Sequence, residues 1–263
     1  MLRTVLITGL MSAFSAPAMA AVVMCANVGD ADGDGTPNTL ADYIDVGSCQ
    51  VGDLVFSNFS LKVIEQGGTV LTEPKWVEMT PINTNPLDPG LKFLNPNWSV
   101  IGNIGLPEQF KMQILYTVKV VGGQKKIKGA SLILPGSTKI NTPGSTIDVY
   151  ESIIPGPQLY THTDGLRNVF DSSKNFAPVA TFRVNDLVDI TVNNPVGAAK
   201  LVSLTNQFSL VPEPISWAMM LVGFGGVGMA MRFRRNLAAV QLLTAPRVSD
   251  GSKVTLMESL WPR

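Results

Sequence analysis

Histidine and cysteine are nearly absent from this chain of 263 residues, which has one histidine, His162, and two cysteines, Cys25 and Cys49. A structural zinc site needs four nitrogen or sulfur ligands, so these few residues disfavour zinc. The sequence also lacks a G-x-S-x-G motif, and we interpret His162 as a surface-loop residue rather than a general base. We therefore expect no catalytic residue.

Charged residues are also few. Lys, Arg, Asp and Glu make up 15% of the chain, and 20 basic residues balance 20 acidic ones to a formal net charge of zero. A nucleic-acid-binding protein would need a basic patch, so we expect no nucleic-acid partner. No internal repeat is evident, which argues against a solenoid.

The N-terminus has the order of features found in a secretory signal peptide. Arg3 precedes an apolar stretch from Val5 to Phe14, and Ala18 and Ala20 follow in an Ala-x-Ala arrangement. The apolar stretch is too short to span a bilayer, whereas this ending is typical of a cleavage site. We predict a cleavable signal peptide over residues 1–20; the alternative is a buried first helix of the fold.

Both cysteines come soon after this predicted cleavage site. In an oxidising compartment, two cysteines with no other partner are expected to form a disulfide, here between Cys25 and Cys49. The alternative is a pair of buried free thiols. A disulfide would stabilise the fold by roughly 3 kcal/mol in the chain-entropy model.

The body of the chain has the two-residue alternation of β-strands. Met112, Ile114 and Tyr116 alternate with polar residues, and Phe59 and Leu61 belong to a similar pattern. Further strands are expected at Lys126 to Leu134, Thr146 to Ile154, Val179 to Val184, Leu187 to Val192 and Lys200 to Leu210. Gly- and Pro-containing breakers separate these segments.

We predict that residues 21–210 form one all-β domain, an antiparallel β-sandwich of the jelly-roll or Ig-like kind. Short strands without helix-length patterns between them favour antiparallel sheets, because parallel strands need crossover helices. Only Asn38 to Val46 is expected to form a short helix. The length is enough for a single core.

The C-terminal region contains an uncharged segment, Ile215 to Met231. As a helix it would be about 25 Å long, at the low end of what spans a bilayer. Three arginines follow it: Arg232, Arg234 and Arg235. They are a basic stop that the positive-inside rule places in the cytoplasm. We predict a membrane-spanning helix over 215–231 with lipid as its partner; the alternative is a buried core helix.

The helix is entered through Pro212-Glu213-Pro214, with Trp217 and Ala218 close behind. Two prolines around a glutamate keep the chain extended and accessible to an enzyme. This order of motif, apolar helix and arginines resembles the PEP-CTERM sorting tail, in its PEPxxWA variety. The alternative is an ordinary proline-containing linker.

The resemblance implies a sorting tail over residues 211–235 and a membrane-embedded exosortase as partner. Pro212, Glu213 and Pro214 would be the recognition element, with Trp217 and Ala218 as its extension. The body would first be anchored in the inner membrane and then reach the cell surface or the extracellular space. Exopolysaccharide is a further expected partner. Residues 236–263 continue beyond the usual end of such tails and are expected to be a cytoplasmic or disordered extension.

An acidic segment is the only metal site that the sequence indicates. Asp30, Asp32 and Asp34 alternate with small residues, as in the first half of a calcium loop. The bidentate acid of a full loop is replaced by Ala41, and Asp42 is one place late. Calcium and a solvated acidic turn both remain open.

Aromatic residues offer a second kind of site. Trp76, Trp98, Tyr150 and Tyr160 could form an exposed sugar-binding face, or they could belong to the core. A glycosidase pair is not indicated, because Asp148 and Glu151 are predicted to lie on opposite faces of one strand.

These observations favour an exported, non-enzymatic protein with a structural or adhesive role at the cell surface or in the extracellular matrix. The leading alternative is a secreted carbohydrate- or calcium-binding module, and the second is a secreted hydrolase.

Overall fold

The computed structural model of the chain describes residues 22–66, 72–103, 107–134, 139–140, 144–213 and 221–225. The chain divides into two compact units, Met1–Pro212 and Glu213–Arg263. The described part of the second unit is Glu213 and a helical segment, 221–225. The predicted signal peptide, 1–20, and the predicted extension, 236–263, lie outside the described residues.

The predicted membrane helix, 215–231, is described only at 221–225. No helix within the described residues combines the length and the apolar character needed to cross a bilayer.

The first unit is built almost entirely of strands. In the described residues these are β1 (Val23–Met24), β2 (Ser48–Val51), β3 (Leu54–Gln66), β4 (Glu78–Ile82), β5 (Gly90–Leu94), β6 (Ser99–Ile101), β7 (Glu108–Val120), β8 (Lys125–Ile133), β9 (Lys139–Ile140), β10 (Ser145–Ile154), β11 (Gln158–Thr163), β12 (Asn168–Val169), β13 (Asp171–Val179), β14 (Thr181–Val192), β15 (Ala198–Lys200) and β16 (Ser203–Pro212). One α-helix, α1 (Leu40–Val46), and two short 3₁₀ turns, Cys25–Asn27 and Pro74–Trp76, complete the described elements of the first unit.

The strands form three sheets. The large sheet has eight strands in the order β1-β2-β3-β7-β14-β10-β11-β12, and the small sheet has five in the order β13-β8-β16-β5-β4. A third sheet contains β6, β15 and β9. The pairing of β1 with β2 is parallel, and the pairs at the centre of the large sheet, β3 with β7 and β7 with β14, are antiparallel.

Aromatic side chains join the large sheet to the small one. The ring centroid of Phe208 in β16 lies 6.1 Å from that of Phe56 in β3 and 5.3 Å from that of Phe182 in β14. Phe93 in β5 and Tyr116 in β7 are 5.8 Å apart. All five side chains are buried, so the sheets pack face to face around one core. The predicted all-β sandwich is confirmed. Its sheets of eight and five strands are larger than the four and three of a constant-type Ig domain.

The alternation in the sequence predicted β7 well, because every second residue from Phe110 to Val120 is buried. The large sheet also holds β14, where we expected two strands, Val179 to Val184 and Leu187 to Val192. The expected break was wrong because β14 pairs without interruption with β7 from Thr181 and with β10 from Arg183. The polar residues between the expected strands are therefore in the middle of a central strand.

The helix and the disulfide agree with the sequence. Helix α1 begins at Leu40 rather than Asn38, because Thr39 is its N-cap and Asn38 has a left-handed backbone with φ of 61°. Cys25 and Cys49 form the predicted disulfide, with their Cα atoms 4.8 Å apart. The bond joins the first 3₁₀ turn to β2 and is fully buried.

Candidate functional site

The last strand of the sandwich runs directly into the Pro-Glu-Pro segment. Pro212 is the final residue of β16 and stands opposite Lys125 of β8, next to the pair Val211 and Lys126. Proline has no N–H for the sheet and suits the end of a strand. Pro212 thus belongs to the folded body, and Glu213 is the first motif residue beyond it.

The remaining residues of the predicted motif and stop lie outside the described residues; they are Pro214, Trp217, Ala218, Arg232, Arg234 and Arg235.

The acidic turn, which we define as residues 30–36, is held in place by Asp42 of α1. Its Oδ1 accepts hydrogen bonds from the N–H groups of Ala31 at 2.6 Å and Asp32 at 3.2 Å. Its Oδ2 accepts from the N–H of Thr39 at 2.7 Å and from the Thr39 hydroxyl at 2.8 Å. Burial tends to raise the pKa of Asp42, but these donors together lower it below its usual value.

The structure groups the acidic residues differently from the calcium-loop prediction. Carboxylate oxygens of Asp30, Asp32 and Asp42 lie within 4.8 Å of one another. Asp34 lies outside this group, and its Oδ1 accepts a hydrogen bond from the N–H of Thr36 at 2.8 Å. N–H groups of the turn also bind Asp30 and Asp32, at 3.0 Å each. Local hydrogen bonds therefore account for the shape of the turn, and calcium stays a prediction.

An open cleft of about 550 Å³ lies beside the acidic turn. Its apolar lining residues include Trp76, Leu94 and two prolines, Pro37 and Pro96. Trp76 is half-buried at the end of the 3₁₀ turn Pro74–Trp76. The cleft thus presents a partly accessible indole in a concave surface.

Polar residues also line the cleft, among them Asp34, Lys75, Glu78 and Asn97. The Lys75 ammonium lies 2.9 Å from the Glu73 carboxylate and 5.5 Å from the centre of the Trp76 ring. The hydrogen bond to Glu73 raises the pKa of Lys75, and Asp34 adds to this effect from nearby. Acidic and aromatic groups that we considered separately in the sequence are brought together here.

Backbone hydrogen bonds join two chain segments that line the cleft. The N–H of Leu40 donates to the carbonyl of Val77 at 2.7 Å, and the N–H of Met79 donates to the carbonyl of Asn38 at 2.8 Å. These bonds join the start of α1 to β4. The cleft is therefore largely pre-formed in the folded chain.

The expected aromatic face is only partly present. Trp98 is fully buried and so belongs to the core, which was the alternative that the sequence left open. Tyr150 and Tyr160 pair across β10 and β11 on the outer face of the large sheet, with ring centroids 4.8 Å apart. Both tyrosines lie in the large sheet, whereas Trp76 comes shortly before β4, which is an edge strand of the small sheet.

His162 lies on β11, not in a loop as we expected. Its Nδ1 is 2.7 Å from Asp148 Oδ1, and its Nε2 is 3.6 Å from Asp164 Oδ2. A Ser-His-Asp triad places a carboxylate at one nitrogen and a hydroxyl at the other. Here both nitrogens face carboxylates, an arrangement that orients the ring rather than activating a nucleophile.

Asp148 and Glu151 occupy opposite faces of β10, as predicted. Asp148 is on the outer face, where its Oδ1 also accepts a hydrogen bond from the Tyr160 hydroxyl at 2.5 Å. Glu151 is fully buried between the sheets. The two carboxylates therefore cannot act together on one substrate.

Residues 210–235 match the family model of the PEP-CTERM protein-sorting motif. This match confirms the resemblance drawn from Pro212-Glu213-Pro214 and the residues that follow. The motif implies an exported, membrane-associated protein that is processed by an exosortase.

No curated protein matches the chain. A solved structure of TmCBM61 in complex with beta-1,4-galactotriose is similar over 65% of this chain and 98% of that chain. The identity is 12% and the TM-score is 0.25. A similarity this low carries no argument about fold or ligand.

Proposed function

We propose that this chain is an exported protein that an exosortase sorts through Pro212-Glu213-Pro214. Its β-sandwich has a structural or adhesive, non-enzymatic role at the cell surface or in the extracellular matrix. The observation that carries the proposal is the match of residues 210–235 to the PEP-CTERM sorting motif.

The position of the motif relative to the fold supports this proposal. Strand β16 ends at Pro212, so all sixteen described strands precede Glu213. A cut beyond Pro212 would leave the whole sandwich intact. Release or transfer of the body by an exosortase is therefore compatible with its fold.

The buried disulfide between Cys25 and Cys49 supports export as well. Disulfides form and persist in oxidising compartments and are rare in the cytosol. Export through a signal peptide over residues 1–20 would place both cysteines in such a compartment.

The proposed route includes a temporary membrane anchor. The uncharged segment 215–231 would stay in the lipid of the inner membrane while Arg232, Arg234 and Arg235 remain in the cytoplasm. The exosortase would then act on the Pro-Glu-Pro segment, with Trp217 and Ala218 as the extension of its recognition element. At the surface, exopolysaccharide would be the neighbouring polymer.

The geometry around His162 supports the non-enzymatic part of the proposal. Its two ring nitrogens face Asp148 and Asp164, so the imidazole is held between two carboxylates. In a catalytic triad one of these nitrogens would face a nucleophile instead of a second carboxylate.

The sorting step can be tested without disturbing the sandwich. Glu213→Ala with Pro214→Ala removes motif residues beyond β16 and keeps Pro212, which belongs to the sheet. We expect the uncleaved chain to accumulate in the inner membrane, as seen by immunoblotting of cell fractions. Glu65→Ala with Pro86→Ala, at two exposed positions of the body, is the matched control. An unchanged size and location of the mature form in the motif variant would refute sorting.

A further inference from the structure

We infer that the cleft beside the acidic turn binds an uncharged glycan, with Trp76 as the surface on which a sugar ring stacks. The inference rests on the proposed adhesive role, because it names the class of ligand that this role would use. It assigns glycan binding to the cleft at the edge of the small sheet, and it specifies that the glycan carries no charge.

The apolar lining residues of the cleft suit the C–H groups of a pyranose ring. Trp76, Leu94 and Pro96 present apolar side chains in the cleft. A sugar ring has C–H groups on its faces, and these pack against an aromatic ring, while its hydroxyls point outward. The half-buried position of Trp76 leaves part of the indole accessible while its remainder is fixed by the protein.

The polar lining residues can form hydrogen bonds with the hydroxyl groups of the same ring. Asp34 and Glu78 offer carboxylate oxygens that accept hydrogen bonds, and the Asn97 amide both donates and accepts. Sugar hydroxyls also donate and accept, so each can be paired on this side. A purely apolar ligand would leave these groups unpaired and would bind poorly.

The charges of the cleft select against acidic glycans. Asp34 and Glu78 are exposed acids, and Lys75, the only cation among the described lining residues, already lies against Glu73. The three acids outnumber this one cation, so a carboxylated or sulfated sugar would meet an excess of like charge. An uncharged glycan meets no such cost.

The tyrosine pair on the large sheet is a weaker candidate for the same ligand. Tyr150 and Tyr160 cover each other, with ring centroids 4.8 Å apart, and the Tyr160 hydroxyl is already bonded to Asp148. A stacking surface needs a free ring face, and because the Lys75 ammonium lies over one face of the Trp76 ring, 5.5 Å from its centre, a sugar would stack on the other face. The Trp76 cleft therefore carries the inference, and the tyrosine pair supplies its control.

The test is isothermal titration calorimetry on the full chain, purified in a mild detergent. The probes are tetrasaccharides of glucose, galactose and mannose as uncharged glycans and of galacturonic acid as the acidic one. We expect at least one uncharged probe to bind and the acidic probe to bind more weakly. Trp76→Ala should weaken binding about tenfold or more, and Trp76→Phe should weaken it less. Tyr160→Ala should leave it unchanged.

A further double variant keeps the test decisive if Trp76→Ala does not fold, which circular dichroism will show. Asp34→Asn with Glu78→Gln should improve binding of the acidic tetrasaccharide several-fold, because the repulsion is removed. The inference is overturned if no uncharged probe binds, if the Trp76 variants bind like the unmodified chain, or if the acidic probe binds best. A chain that is sorted normally but binds no glycan refutes only this inference. A chain that binds glycan but is not processed refutes only the sorting.

Discussion

Glu151 in β10 stands directly opposite Asp186 in β14, and both side chains are fully buried between the two sheets. Asn206 of β16 donates hydrogen bonds to Asp186 Oδ2 and to the Tyr116 hydroxyl, each at 2.6 Å. Among the described residues, the Glu151 carboxylate has no hydrogen-bond partner. Burial raises the pKa of Asp186 to about 8, and burial together with the charge of Asp186 raises the pKa of Glu151 well above its usual value.

This pair predicts that the sandwich is more stable in mildly acidic than in alkaline solution. The unfolded chain releases the Asp186 proton near pH 4, whereas the folded chain keeps it until about pH 8. The stabilising contribution is therefore complete below about pH 4 and is lost as the pH rises through the folded pKa. For one proton, the free energy of unfolding falls by at most about 1.4 kcal/mol per pH unit.

The measurement is thermal unfolding followed by circular dichroism between pH 5 and pH 8. We expect the melting temperature to fall across this range and the fall to be smaller in Asp186→Asn. Glu65→Gln, at an exposed position, should behave like the unmodified chain. A melting temperature that rises toward pH 8, or an equal slope in Asp186→Asn, would contradict the account.

The disulfide should contribute measurably to stability. Cys25→Ser with Cys49→Ser removes a bond that closes a loop with a sequence separation of 24 residues. We expect the free energy of unfolding in urea to fall by roughly 3 kcal/mol. The unmodified chain treated with a reductant should show a similar loss. Equal stability with and without the disulfide would mean that other contacts hold the 3₁₀ turn Cys25–Asn27 against β2.

Asp42 should matter more than its neighbour Asp45 in the same helix. Asp42 is buried and accepts four hydrogen bonds from the acidic turn and the start of α1, whereas Asp45 is exposed. Asp42→Ala is expected to reduce the free energy of unfolding by about 1–3 kcal/mol, and Asp45→Ala by less than about 0.5 kcal/mol. Denaturant unfolding compares the two, and similar losses would show that Asp42 does not hold the turn.

Phe208 is predicted to be a central contact between the sheets. Its ring touches those of Phe56 and Phe182 and is fully buried. Phe208→Ala should lower the free energy of unfolding by about 3–5 kcal/mol. Phe176, which is only partly buried against the same core, provides the comparison, and Phe176→Ala should cost clearly less. Urea unfolding measures both losses, and a larger loss for Phe176→Ala than for Phe208→Ala would contradict this prediction.

The strands with regular alternation could be predicted from the sequence because their inner and outer faces differ in polarity. Strand β7 is an example. Strand β13 was missed because it is an edge strand with mostly exposed residues and an irregular pairing between Asn175 and Val179. Strand β14 was divided wrongly because Asn185 and Asp186 resemble a loop in sequence, although hydrogen bonding inside the sandwich accommodates Asp186.

The candidate site could be predicted only in pieces. The sequence indicated both Asp34 and Trp76 but not that they line one cleft. Their proximity depends on the contact between β4 and the start of α1, which are far apart in the sequence. Trp98 could not be distinguished from Trp76, because a single aromatic residue carries no periodic signal of burial. Asp42 could have been recognised, since Thr39 followed three residues later by an acid has the spacing of a capping box.

The central claim is that the chain is exported, held by its tail and processed at the Pro-Glu-Pro segment. The most direct test is mass spectrometry of the mature protein isolated from separated cytoplasmic, membrane and extracellular fractions. The account predicts a form outside the inner membrane that begins at Ala21, contains the oxidised Cys25–Cys49 pair and lacks residues 236–263. A full-length chain in the cytoplasm with both termini intact would contradict it.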